Sequence, residues 1–228
     1  PLLIDPVLVY STYYGGGSLD NGAAIALDKD GNIYVTGDTL SADFKTVNPV
    51  QGTITGTATD AFVLKLNPAG NQILYATYLG GNATETGTAI AVDANGNAYI
   101  TGQTGPGGFP GAAQLTRVGA GGNVDTFVCK LNPAGSSILY TTLLGGNNAD
   151  FANAIAVNAE GNVYVAGRTD STNLPASGIQ TSKRGSPLFK STDQAASWSK
   201  ANNGITAASV RTFAVHPNGP DFLYAGTI

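Results

Sequence analysis

Short apolar runs separated by polar turns fill this chain, and they recur at a fixed spacing. AFVLKLN, ILYATYL, AIAV and AYITG, between Ala61 and Gly102, return 65 residues later as TFVCKLN, ILYTTLL, AIAV and VYVAG. The stretch from Asp60 to Thr104 thus repeats from Asp125 to Thr169, and its second half also stands 65 residues earlier, from Val7 to Thr39. A long period kept without slippage marks structural units stacked side by side. The runs are short, rich in β-branched and aromatic residues and bounded by Gly, Pro, Asn and Asp, which predicts strands joined by tight turns. No segment carries a sustained helical period.

Turn chemistry fixes how the strands connect. Asp28-Lys29-Asp30-Gly31-Asn32, Asp93-Ala94-Asn95-Gly96-Asn97 and Asn158-Ala159-Glu160-Gly161-Asn162 have the composition of tight hairpins, as do Asn67-Pro68-Ala69-Gly70 and Asn132-Pro133-Ala134-Gly135. Each unit therefore holds four strands in an antiparallel meander, the blade of a β-propeller. AIAL and AIAV are small enough for the crowded inner strand a, placed at Ala24, Ala89 and Ala154. The bulkier Tyr-bearing runs suit the outer strand d, placed at Val9, Tyr75 and Tyr140. The predicted fold is an all-β propeller of four-stranded antiparallel blades, with about three full blades and a partial one, a fragment of a larger propeller. Residues 1–6 form a lead-in to a single domain over 7–228. Within it, 7–14 is an orphan outer strand, 22–79, 87–144 and 152–201 are blades, and 209–227 is a partial blade.

These motifs resemble the bacterial SBBP β-propeller repeat. The carriers are D-[AT]-F-V-x-K-L-N-P-A-G, Y-x-T-x-x-G-G and A-I-A-V-[DN]-x-x-G-N-x-Y-[IV]-x-G-x-T, over Val7 to Thr169. From Pro187 to Thr227 the chain is more similar to BNR/Asp-box propellers of the sialidase and sortilin kind. There, Ser191-Thr192-Asp193-Gln194-Ala195-Ala196-Ser197-Trp198 fits S-x-D-x-G-x-[ST]-W, with Ala195 in place of Gly. The resemblance implies secreted or cell-surface bacterial proteins and no single activity, since propellers host enzymes and binding scaffolds alike.

Composition narrows the chemistry. Eleven Lys and Arg against fifteen Asp and Glu give a charge of −4, which argues against a nucleic-acid surface. No apolar run is long enough for a membrane span. One cysteine, Cys129, stands at the repeat position of Leu64 and reads as a small buried hydrophobe. The absence of Met reads as the mark of a piece processed or excised from a longer chain.

In a meander, the a–b and c–d turns share one face, and the d–a and b–c loops share the other. The loops are the part that varies: Gly15–Asn21, Gly80–Thr86 and Gly145–Phe151 between blades, and Leu40–Thr59, Gly105–Val124 and Asp170–Ser186 within them. Function is expected there. Asp20, Glu85 and Asp150 share one repeat position just before strand a. They read either as a carboxylate collar for Ca²⁺ or a cationic ligand, or, the preferred reading, as acceptors ordering their own loops. Asp38, Gln103 and Arg168 fill the x slot of G-x-T, which the repeat leaves free to specialise. Asp28 and Asp30 read as a hairpin turn and not a calcium loop. Lys65, Lys130 and Lys190 are expected to pair with neighbouring carboxylates. His216, the only histidine, reads as a loop residue, which removes most of the case for a catalytic triad or a zinc site.

Three functions remain open. One is a non-catalytic extracellular module presenting the loop face to a protein or glycan. A glycoside hydrolase or lyase would need a carboxylate pair at working separation. Of the candidates Asp43, Asp150 and Asp170, nothing in the sequence pairs any two, and only Arg117, Arg168, Arg184 and Arg211 are available to a substrate carboxylate. The third is a structural or self-assembling surface protein, associating through the unfinished blade.

Overall fold

The computed structural model describes residues 10–106, 109–110, 115–119, 121–174, 188–193, 197–201, 210–215 and 223–227. Among them every regular element is a strand. Strands β1 (Asp20–Leu27), β2 (Ile33–Thr39), β3 (Asp60–Leu66) and β4 (Ile73–Leu79) form one antiparallel sheet in sequence order. Strands β5 (Glu85–Val92), β6 (Ala98–Thr104), β8 (Asp125–Leu131) and β9 (Ile138–Leu144) repeat it. The third sheet is β10 (Asp150–Val157), β11 (Val163–Thr169), β12 (Leu188–Ser191) and β13 (Ser199–Lys200), and the hairpin β14 (Val210–Val215) with β15 (Leu223–Thr227) begins a fourth.

The sheets pack face to face, and their apolar residues meet between them. Tyr34, Ala61, Val63, Tyr75 and Leu79 of the first sheet share one buried cluster with Ile90, Ile100, Phe127, Cys129 and Leu131 of the second. Tyr99, Val128 and Leu144 of the second meet Ile155, Val163 and Val165 of the third. Buried apolar surface of this kind is the main stabilising term of the stack. The inner strands are neighbours from blade to blade: β1 lies against β5, β5 against β10 and β10 against β14. Cys129 is fully buried there, and burial pushes its thiol up to about 12, so it is inert filling.

The structure corrects the sequence reading in three places. Strand a begins at Asp20, Glu85 and Asp150 themselves, because a β-bulge at Ala23, Thr88 and Asn153 lets pairing resume beyond the small residues. The stretch Gly105–Val124, expected to be loop throughout, holds β7 (Leu115–Val118), which pairs parallel to β9 as a fifth, outermost strand. Residues 10–14 of the expected orphan strand form no strand, while Val7 to Val9 lie outside the described residues. Even so, the Tyr10 hydroxyl donates to the Gly70 carbonyl, at the c–d turn where the matched Tyr75 ring lies over Gly135. The N-terminal segment thus lies where a preceding blade's outer strand would run.

The turn face is uniform in the first two units. Asp28 Oδ1 accepts the backbone N–H groups of Asp30 and Asn32, and its Oδ2 accepts from the Asn32 amide and the Tyr34 hydroxyl. Asp93 does the same for Asn95, Asn97 and Tyr99. Gly31, Gly96 and Gly161 close these turns at φ of 80°, 80° and 82°, the left-handed region where a side chain is strained. Lys65 lies 3.7 Å from Asp28 and over the Tyr34 ring; Lys130 lies 3.6 Å from Asp93 and over Tyr99. Burial pushes the carboxyls of Asp28 and Asp93 up, but their hydrogen bonds outweigh it and hold both below the usual carboxylate range. In the third unit Asn158 stands at this carboxylate position, and Lys190 keeps its place over Tyr164.

The Asp-box sits on the c–d hairpin, as its sequence implies. Asp193 accepts from the Ser197 backbone N–H and from the hydroxyls of Ser191 and Ser197, bridging β12 to β13. Trp198 packs with Tyr99 and Tyr140 between the second and third blades. Ala195 and His216 lie outside the described residues, as does Arg184.

Candidate functional site: the loop face between the second and third blades

On the loop face, the G-x-T segment of strand b sets the geometry. A methyl group at Gly37, Gly102 or Gly167 would lie 1.8 Å from the carbonyl oxygen of Asn21, Thr86 or Phe151. Only glycine permits that approach. It presses strands a and b together and pairs each x-slot residue across the ladder: Asp38 with Asn21, Gln103 with Thr86, Arg168 with Phe151. Cross-strand neighbours touch directly. Asp38 Oδ2 accepts from the Asn21 amide at 3.1 Å, Gln103 Oε1 accepts from the Thr86 hydroxyl at 2.5 Å, and the Arg168 guanidinium stacks on the Phe151 ring at 4.4 Å.

The three carboxylates at the start of strand a do not join these pairs. Asp20 accepts from the Gly16 N–H at 2.8 Å and from the Thr39 and Ser41 hydroxyls at 2.5 and 2.9 Å. Glu85 accepts from the Gly81 N–H and Thr104, and Asp150 from Gly146, Thr169 and Ser171. Each carboxylate ties the d–a loop to the end of strand b in its own blade. In the second unit Pro106 replaces the serine, and the longer Glu85 spans to Gly81 and Thr104 alone. Among the described residues no three His, Cys, Asp or Glu side chains come together as a metal-binding group. The collar reading for Asp20, Glu85 and Asp150 is therefore corrected: their oxygens are spent on separate loops.

Burial pushes the Asp20 carboxyl up, but the bonds from Thr39, Gly16 and Ser41 outweigh it and hold it low. Glu85 is fully buried, and burial raises its carboxyl despite the bonds from Gly81 and Thr104. Beside it stands a carboxylate the sequence reading did not single out. Asp60 opens strand c, is fully buried, and accepts from Gln51 Nε2 and the Thr55 N–H at 2.9 and 3.1 Å. Burial first, and then the charge of Glu85, push its carboxyl up to about 6.

The second and third blades enclose a cleft of about 420 Å³ on this face. Ala83, Thr84, Thr86 and Gln103 form one wall, Pro106, Asn123 and Val124 another, and Phe151 of the third blade closes it. Its size is that of a small-ligand pocket. Gln103 Nε2 also donates to the Ala152 carbonyl at 3.3 Å, and the Thr88 hydroxyl donates to the same carbonyl at 2.9 Å, so the blades on either side are fastened together. Of the x-slot residues, Gln103 lines the cleft and Arg168 backs its aromatic wall, with Asp170 at 3.7 Å from the guanidinium. Asp38 lies a blade away. Phe151 and Thr86 fall inside the variable d–a loops but were not singled out. Pairing the x slot with its neighbour across the a–b hairpin identifies both.

The carboxylates proposed for hydrolysis are also tied. Asp43 accepts from the Gly17 N–H at 2.7 Å, Asp150 is held by its own loop, and Asp170 faces Arg168.

Comparison with a known repeat family agrees with this architecture. The SBBP family, described as a beta-propeller repeat, matches residues 9–45, 74–110 and 139–175. Regulatory protein FlaEY of Caulobacter vibrioides is 31% identical over 153 residues, 65% of this chain but 15% of that protein. Among solved structures, a Hadza microbial sialidase is similar over 86% of this chain and 40% of its own, at 11% identity and a TM-score of 0.49. A Trypanosoma rangeli sialidase bound to the inhibitor DANA is similar over 79% of this chain and 30% of its own, at 13% identity and a TM-score of 0.42. The chain thus spans a minor part of each of these proteins. With its 65-residue sequence period and stacked four-stranded sheets, it carries three copies of the SBBP-type β-propeller repeat.

Proposed function

We propose that the chain is a non-catalytic binding module of the bacterial cell exterior, presenting its loop face to a protein or glycan partner. The observation that carries this reading is the Thr86–Gln103–Phe151 cleft. It is built where the repeats differ in sequence, on a frame the repeats share. Aromatic and amide side chains on a rigid support suit recognition. Among the described residues, Asp20, Glu85 and Asp150 accept hydrogen bonds within their own loops and no carboxylate lines this cleft, which favours binding over hydrolysis.

The test is retention of the chain on an array of glycans and on a fraction of secreted bacterial proteins. Wild type is expected to retain a partner, and Phe151→Ser with Gln103→Ala to lose it at least tenfold. Retention unchanged in the double variant, or turnover of a glycan by the wild type, would refute the reading.

A further inference from the structure

Among the described residues, no ionisable side chain lines the cleft between the second and third blades. Its lining is of two kinds. Pro106, Val124 and Phe151 are apolar, while Thr84, Thr86, Gln103 and Asn123 carry hydroxyls and amides. The exposed Thr84 hydroxyl and Asn123 amide bond to no other residue among those described. Gln103 Oε1 accepts from the Thr86 hydroxyl, and Nε2 gives one hydrogen to the Ala152 carbonyl. A second amide hydrogen is left to donate, and the Thr86 oxygen keeps its lone pairs. The cleft thus offers uncharged donors and acceptors beside an apolar wall.

Two classes of partner fit this lining poorly. An anionic ligand would call for a cation. Arg168, stacked on Phe151, is not part of the lining and has Asp170 at 3.7 Å. The chain's net charge of −4 also repels anions. An extended peptide takes its affinity from main-chain hydrogen bonds to an open sheet edge. Around the cleft the main chain is already engaged. The Gly105 N–H donates to the Thr84 carbonyl and the Asp150 N–H to the Val124 carbonyl, while β5 is paired with β6 and β6 with β8. A sugar ring without charge matches both kinds of lining. Its hydroxyls each donate and accept, and its C–H face is apolar.

We infer that the cleft holds one unit of an uncharged glycan, with the C–H face of the ring on Val124 and Phe151 and its hydroxyls on Asn123, Thr84 and the remaining Gln103 N–H. The inference rests on the binding reading above and narrows its partner to one chemical class. At about 420 Å³ the cleft lies at the lower end of the range of small-ligand pockets. It accepts a short stretch of a glycan chain and not a folded surface.

Calorimetric titration of the chain with uncharged oligosaccharides of gluco, galacto and manno configuration, and with sialylated and uronic-acid counterparts, tests it. At least one uncharged series is expected to bind, more tightly than any charged counterpart. Its affinity should change less than about twofold between roughly 50 and 500 mM sodium chloride, because no charge pair is formed. Asn123→Ala, in an exposed turn, should weaken it at least about fivefold, as should Phe151→Leu, which keeps apolar bulk but removes the ring. Tighter binding of a charged counterpart, affinity that falls steeply with salt, or unchanged affinity in folded Asn123→Ala would each overturn the inference. Retention of a secreted bacterial protein in place of any saccharide, lost in Phe151→Ser with Gln103→Ala, would overturn it and leave the binding reading standing. Retention of neither would overturn both.

Discussion

On the turn face, Asp28, Asn32, Tyr34 and Lys65 of the first unit are matched bond for bond by Asp93, Asn97, Tyr99 and Lys130 of the second. On the loop face, the matched pairs Asn21–Asp38, Thr86–Gln103 and Phe151–Arg168 share no side-chain type. Yet both faces stand on the same strands, and the glycine that positions each variable pair is as regular as the turns. Where copies agree, the residues satisfy buried polar groups and close turns, which any blade requires. Where they differ, the backbone is already fixed by the neighbours, so side chains can change at small cost to the fold.

Substitutions on the two sides of this contrast should separate by size. The largest effect belongs to Gly102→Ala. A methyl group 1.8 Å from the Thr86 carbonyl oxygen must force the a and b strands apart, with a loss of about 4 kcal/mol or more in urea unfolding. A loss under about 1 kcal/mol would mean that the glycine is not what sets the pairing.

Asp60→Asn should come next, and it should stabilise. The folded-state carboxyl is raised to about 6 from an ordinary 3.8, so the folded chain holds this proton more tightly than the unfolded one. The site is therefore least costly below about pH 4 and becomes costly as pH rises through about 6. The gain from asparagine should reach roughly 2–3 kcal/mol at pH 8 and vanish near pH 3.5, read from unfolding midpoints across pH. A gain independent of pH would assign the effect to something other than the buried charge.

Asp93→Ala removes the acceptor for two backbone N–H groups, an amide and a hydroxyl, and should cost about 1–2 kcal/mol. Asn158→Asp, which gives the third turn the residue of the first two, should change stability by less than about 1 kcal/mol. Thermal unfolding of both variants compares the turns directly. The smallest structural effect should be that of Arg168→Met, within about 1 kcal/mol, since its ring contact and its Asp170 neighbour are both solvent-accessible.

The sequence spelled out the strands and turns because their determinants are local. Gly31, Asn67 and Pro68 punctuate runs whose pairing partner lies only a few residues away. Lys65 and Lys130 were legible for the same reason, lying across one sheet from a turn carboxylate. β7 was not legible, since a parallel pair with β9 joins strands that no turn connects, and LTRV carries no stronger signal than its flanks. For Asp20, Glu85 and Asp150 the sequence leaves a collar and loop ordering both open, with loop ordering preferred. Matched repeat positions show equivalent places but not whether side chains reach across blades, and here the Thr39, Thr104 and Thr169 hydroxyls hold them within each blade. The burial of Asp60 depends on Gln51 and Thr55 of a long loop folding back over strand c, which no local pattern announces.

The central claim is that recognition resides where the copies disagree. It is tested most directly by measuring partner retention for two triple variants side by side. One carries Asp38→Ala, Gln103→Ala and Arg168→Ala on the loop face; the other carries Lys29→Ala, Asn95→Ala and Glu160→Ala on the turn face. The account predicts that the loop-face variant loses at least tenfold in affinity while the turn-face variant matches the wild type. Loss of retention in the turn-face variant alone, or equal loss in both with folding intact, would contradict it.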